Sequence, residues 1–135
     1  MRILLMLILA VLVQSAVVQA EPEGRKLLGP EIKQKLIGNT ARIIAKNGSW
    51  LVVYYREDGK CFGRLEASAR PPGTGSWTLS DDGKLCAEWS TQYLTSGCRT
   101  LYADPKTGAI NAYNAEGTYF ATYREITPGN PNDLH

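Results

Sequence analysis

Trp50-Leu51-Val52-Val53-Tyr54-Tyr55-Arg56-Glu57-Asp58-Gly59-Lys60-Cys61-Phe62-Gly63-Arg64-Leu65-Glu66 is the stretch whose reading decides the fold. Two runs rich in β-branched and aromatic residues, Trp50 to Arg56 and Lys60 to Glu66, flank Glu57-Asp58-Gly59. That interval has the length and the final glycine of a type I turn closed by a left-handed residue, so the two runs are read as a hairpin. Pairing Arg56 with Lys60 sets Tyr55 against Cys61, Val53 against Gly63 and Leu51 against Leu65 on one side of the sheet. Trp50, Val52, Tyr54 and Phe62 then line the other. With both faces apolar, the hairpin is expected to lie centrally, between the core and a helix or second sheet layer.

The same turn logic recurs along the chain. Trp77 to Ser80 and Lys84 to Trp89 flank Asp81-Asp82-Gly83, and Ala112 to Asn114 and Thr118 to Arg124 flank Ala115-Glu116-Gly117. Pairing Ser80 with Lys84 places Trp77, Leu79, Leu85, Ala87 and Trp89 on one face and Thr78, Cys86 and Glu88 on the other. A longer turn is read at Asp104-Pro105-Lys106-Thr107-Gly108. Before the strands, Pro30 to Ile37 reads as one short helix, with Pro30 in its first turn, Glu31 at the positive end of its dipole and Gly38 ending it. Its Ile32, Leu36 and Ile37 form the apolar stripe that packs on one end or face of the sheet. The fold class is therefore mainly β: an antiparallel meander of about six to eight short strands closing into a small barrel or curved sheet, with one short N-terminal helix.

The start of the chain reads as a leader. Arg2 is followed by an apolar run from Ile3 to Val13, and Val18 and Ala20 are the small residues that define cleavage before Glu21. The run is too short for a bilayer, which needs roughly 20 apolar residues. The expected organisation is a signal peptide over 1–20, a polar lead-in over 21–29, a single β-rich domain over 30–127 and a flexible tail over 128–135. Localisation is expected to be periplasmic or secreted, with no stable membrane anchor after cleavage.

Charge narrows the partners. The whole chain carries 15 basic and 13 acidic residues, dispersed along it, so the basic footprint of a nucleic-acid binder is missing. All three cysteines, Cys61, Cys86 and Cys98, lie beyond the leader. Strands joined by Ser90 to Ser96 bring Cys86 beside Cys98, and this disulfide is favoured over pairings that use Cys61, which stay open. Cys61 is then a free-thiol candidate, read first as a small buried hydrophobe facing Tyr55.

Catalytic chemistry finds little footing. The single histidine, His135, stands in the tail, so neither a metal cluster nor a Ser-His or Cys-His arrangement is expected, and no cofactor is implied. Glu66 and Glu88 are the carboxylates open to an acid–base role. Gly73-Thr74-Gly75 lacks the Lys-Ser/Thr of a phosphate loop and reads, after Pro71-Pro72, as a surface connection. Aromatic residues are the remaining lead, with Trp50, Tyr54, Phe62 and Tyr93 as candidate binding-surface positions.

Leu36-Ile37-Gly38-Asn39-Thr40, the Trp50 to Gly63 segment, Gly75-Ser76-Trp77-Thr78, Leu85-Cys86-Ala87-Glu88-Trp89 and Cys98 occur in an order that resembles a family of small exported proteobacterial domains of unknown function. The resemblance covers roughly residues 30 to 124. It implies a periplasmic, single-domain, β-rich protein from a Gram-negative bacterium and supplies no catalytic residues. The expected function is a non-enzymatic binding or accessory domain for a small apolar ligand or an exported protein. An inhibitor or chaperone-like partner of a secreted enzyme is the alternative, with 21–29 as an inserting arm, and a carboxylate-dependent envelope enzyme comes third.

Overall fold

The computed structural model describes residues 22–135; the expected leader and Glu21 lie outside them. Strand β1 (Arg25–Lys26) and helix α1 (Gly29–Leu36) are followed by β2 (Asn39–Ala45), β3 (Trp50–Tyr55), β4 (Lys60–Leu65) and β5 (Gly73–Leu79). Then come β6 (Lys84–Trp89), β7 (Gly97–Ala103), β8 (Ile110–Tyr113) and β9 (Tyr119–Pro128). Strands β2 to β9 pair antiparallel in chain order, and β9 returns to β2, so the meander is a closed 8-strand barrel. Closure leaves no strand edge along the ring itself.

The predicted turns are present. Arg56 N–H donates to Lys60 O at 2.8 Å, Ser80 N–H to Lys84 O at 3.0 Å and Asn114 N–H to Thr118 O at 2.9 Å. Gly59, Gly83 and Gly117 take φ values of +90°, +92° and +78°, the left-handed conformation that such a turn demands. The registers follow: Tyr55 stands opposite Cys61, Val53 opposite Gly63, Leu79 opposite Leu85 and Trp77 opposite Ala87. Inward positions alternate along the strands into one core that includes Ala41, Ile43, Val53, Tyr55, Cys61, Leu85, Leu101, Ala112, Ala121 and Tyr123.

Two bulges bend β9. One lies opposite Ala112/Tyr113 and leaves Phe120 between the pairs Ala112–Ala121 and Tyr113–Tyr119. The other, between Arg42 and Ile43, leaves Arg124 unpaired between Tyr123 and Glu125. Each shifts the alternation by one residue, which keeps both Tyr123 and Ile126 packed with the core.

Helix α1 plugs one end of the barrel. Leu27, Ile32 and Leu36 are fully buried, and each contributes on the order of 2 kcal/mol by leaving water. The backbone fixes the plug at several points: Leu27 N–H donates to Leu101 O at 2.8 Å, Gly29 N–H to Asp81 O at 3.0 Å and Gly38 N–H to Tyr55 O at 2.7 Å. Arg25 and Lys26 pair with Ala103 and Tyr102. Residues 25–29 are thus woven into the barrel end, which corrects, for these residues, the expectation of an inserting arm over 21–29.

Other expectations are also corrected. Strand β2 was not among the predicted strands, and β5 begins at Gly73, inside the segment read as a surface connection. The helix covers the barrel end and not the outer face of the first hairpin. What covers that face is the C-terminal tail, expected to be free: Leu134 is 1% exposed and packs with Val52, Phe62 and Tyr54. Asn130 clamps the turn, its amide donating to Leu134 O at 2.9 Å and its Oδ1 accepting from Leu134 N–H at 3.0 Å.

Because Leu134 covers apolar side chains that otherwise face water, Leu134→Ala is expected to lower stability by about 2 kcal/mol, the low end for a buried leucine. Urea denaturation checks this; an unchanged midpoint would show that the docked tail adds nothing to the fold.

Candidate functional site

The end opposite the helix is where the β2–β3, β4–β5, β6–β7 and β8–β9 connections lie, and it opens into a cavity of about 460 Å³. Its walls are mainly aliphatic and aromatic, including Leu51, Val53, Leu85, Ala87, Trp89 and Phe120. Small residues shape it. A methyl group at Gly63 would stand 3.1 Å from the Trp89 indole, and one at Gly75 would stand 2.8 Å from it. The absence of side chains there makes room for the Trp89 indole beside β4 and β5.

Two polar features interrupt this apolar interior. The first is a buried pair of phenols, Tyr55 and Tyr123, whose hydroxyl oxygens are 2.9 Å apart. They come from β3 and β9, the two strands that flank β2, and burial pushes both above the ordinary tyrosine range, Tyr55 well above it. Both hydroxyls therefore stay protonated at neutral pH; one donates to the other, which leaves one O–H of the pair to donate elsewhere.

The second is Arg99 on β7. It pairs with Leu85, an inward position, and so its side chain enters the barrel. The guanidinium stacks on the Phe120 ring with Cζ 3.6 Å from the centroid, a cation–π contact made by the residue that the β9 bulge leaves unpaired. Nη1 donates to Cys98 O at 3.0 Å and Nη2 to Thr95 O at 3.4 Å, while Nε is buried without a hydrogen-bond partner. Gly97 makes the room: a methyl group there would stand 2.5 Å from Nη1. Burial draws the Arg99 pKa down, and the phenols and Glu116 oppose that pull. Among the described residues no carboxylate reaches ion-pair distance of Arg99. With Lys46 at the mouth, the lining holds two cations and no acid.

The sequence-predicted residues divide between inside and outside. Cys86 and Cys98 stand directly opposite each other in the β6–β7 pair and form the disulfide on the outer face, with their Cα atoms 3.9 Å apart. Cys61 faces inward and is fully buried, and burial pushes its thiol up to about 12. Of the four candidate aromatics only Tyr93 lines the cavity, its hydroxyl donating to Pro71 O at 3.0 Å. Trp50 lies outside beneath the Arg42 guanidinium, 3.9 Å from its ring centroid, and Tyr54 and Phe62 lie outside under the tail.

Glu66 is held by Arg42 at 2.7 and 3.1 Å, which keeps its carboxyl below the usual range, and Glu88 is exposed on β6. Neither lines the cavity, and the fold does not bring them into one site. Among the described residues no group of three or more His, Cys, Asp and Glu is arranged to hold a metal ion, and no helix is long and apolar enough to cross a membrane.

Arg99, Tyr55 and Tyr123 were not singled out as site residues from sequence, although the register already implied one of them. With Leu85 inward and Cys86 outward, a bridge to Cys98 puts Cys98 outward and its neighbour Arg99 inward. Compared with family models, curated proteins and solved structures, the chain matches none.

The Cys61 thiol gives this interior a pH signature. An unfolded thiol ionises near 9 and the folded one near 12, so the stability it contributes is complete below pH 9 and is lost as pH rises toward 12. The raised phenols act in the same direction. Urea denaturation is expected to show stability falling above about pH 9, and falling less steeply in Cys61→Ala. Identical slopes for the two proteins would contradict the placement of the thiol.

Proposed function

We propose that the protein is an exported, non-enzymatic binding protein that encloses a small molecule with an apolar body inside its barrel. The observation that carries this reading is the hollow itself: about 460 Å³ of mainly apolar space, open at the mouth. Helix α1 seals the far end of the barrel. A core packed only for stability fills such space, since interiors approach the density of organic crystals. The volume falls within the roughly 300 to 1,000 Å³ usual for small-ligand sites.

Export is supported by the leader-like residues 1–20 and by the Cys86–Cys98 bond, a modification that persists in oxidising compartments. The resemblance to small exported proteobacterial domains supports a periplasmic setting for the same activity.

N-phenyl-1-naphthylamine, a neutral apolar fluorophore, tests the reading. Saturable fluorescence enhancement at one site per chain is expected. Ala45→Trp, which places an indole at the last residue of β2 on the cavity lining, is expected to weaken it at least tenfold. Absent enhancement, or enhancement unchanged in Ala45→Trp, would place any binding outside the barrel and overturn the proposal.

A further inference from the structure

A single guanidinium held inside an apolar barrel is costly, because a charge drawn out of water must be compensated by a partner. Arg99 has only two carbonyl contacts and the Phe120 ring, and its Nε has no partner. The fold nonetheless makes specific room for it, through Gly97 and through the bulge at Phe120. The buried Tyr55–Tyr123 hydroxyl pair shares the cavity lining with the guanidinium, and the side chains of that lining that carry a charge at neutral pH, Lys46 and Arg99, are both positive. A cleft of one sign with low-dielectric walls concentrates its field on whatever enters.

We infer that the barrel selects an amphipathic monocarboxylate, whose carboxylate pairs with Arg99 and accepts a hydrogen bond from the free hydroxyl of the Tyr55–Tyr123 pair while its apolar body fills the space along Leu51, Val53 and Ala87. This rests on the barrel being a ligand site. The planar fork of arginine matches the two oxygens of a carboxylate, and one guanidinium neutralises one negative charge. A dianion would leave net charge buried in the cavity, and a cation would meet Arg99 and Lys46 unopposed. A neutral molecule of the same length gains the apolar contacts alone and leaves Arg99 as it is in the empty barrel.

Displacement of N-phenyl-1-naphthylamine by decanoate, decanol and decylammonium at neutral pH separates these cases. Decanoate is expected to bind at least tenfold more tightly than the other two. In Arg99→Gln that preference is expected to vanish, and Arg99→Lys is expected to restore it only in part, because an ammonium lacks the fork. Thermal unfolding of each variant verifies that it is folded. Should Arg99→Gln not fold, the probe series on the unmodified protein together with Arg99→Lys still decides. Equal affinity for decanoate and decanol in the unmodified protein, or a preference that survives in Arg99→Gln, would overturn the inference while leaving the barrel a ligand site. No displacement or direct binding by any of the probes would overturn both.

Discussion

The pairing of β2 with β9 is the constraint on which the rest of the structure depends. Seven residues of β2, Asn39 to Ala45, run against Ala121 to Pro128 and turn a row of hairpins into a ring. Without that seam the sheet has two long edges and no inside. With it, Ala41, Ile43, Ala121 and Tyr123 become interior side chains, and the space they surround is bounded on all sides. The seam also sets Tyr123 on β9 beside β2, with Tyr55 of β3 on the other side of that strand, so the buried phenol pair is a consequence of closure.

Closure alone would give a symmetric tube, and the two ends are made different by a few residues. At one end Leu27, Ile32 and Leu36 fill the opening, held there by backbone hydrogen bonds from Leu27 and Gly29 to neighbouring strands and loops. Gly83 permits the crossing, since a side chain there would meet Leu27 O at 2.1 Å. At the other end the loop 90–96 covers only part of the mouth: Leu94 is buried above Gly63 and Gly73, while the side toward β2 and β9 stays open. Into that open half projects Arg99, with a desolvation cost that the protein's own groups only partly offset. The proposed carboxylate would complete what the fold leaves unfinished there.

Much of the barrel was legible in the sequence, because three-residue turns ending in glycine set register as well as position. From Glu57-Asp58-Gly59 and Asp81-Asp82-Gly83 alone the residues that share each face of β3–β4 and β5–β6 follow, with Cys86 on the face away from Leu85; which face of the first hairpin points inward does not follow, because both are apolar. Strand β2 was not legible for a local reason: Ala41 and Ala45 are weak strand formers, and Ile43-Ile44 breaks the alternation because Ile44 faces outward opposite Trp50. The bulges in β9 were hidden in the same way, as an extra residue shifts the period-two pattern that reveals a strand. The docking of Leu134 rests on contacts some seventy or more residues away in the chain, to Phe62 and Val52, which no local pattern records. The site was half legible. Tyr93 is legible as a binding aromatic and Tyr55 as the neighbour of a buried Cys61, but Arg99 is not, because an arginine in a strand ordinarily faces water.

Amide hydrogen exchange by NMR along the β2–β9 seam tests closure most directly. The β2 amides that point at β9, and their partners from Ala121 to Ile126, are expected to be protected as strongly as those of the β3–β4 ladder, since both belong to one cooperative ring. Seam amides that exchange as a free sheet edge does, while β3–β4 stays protected, would mean an open sheet with no enclosed cavity.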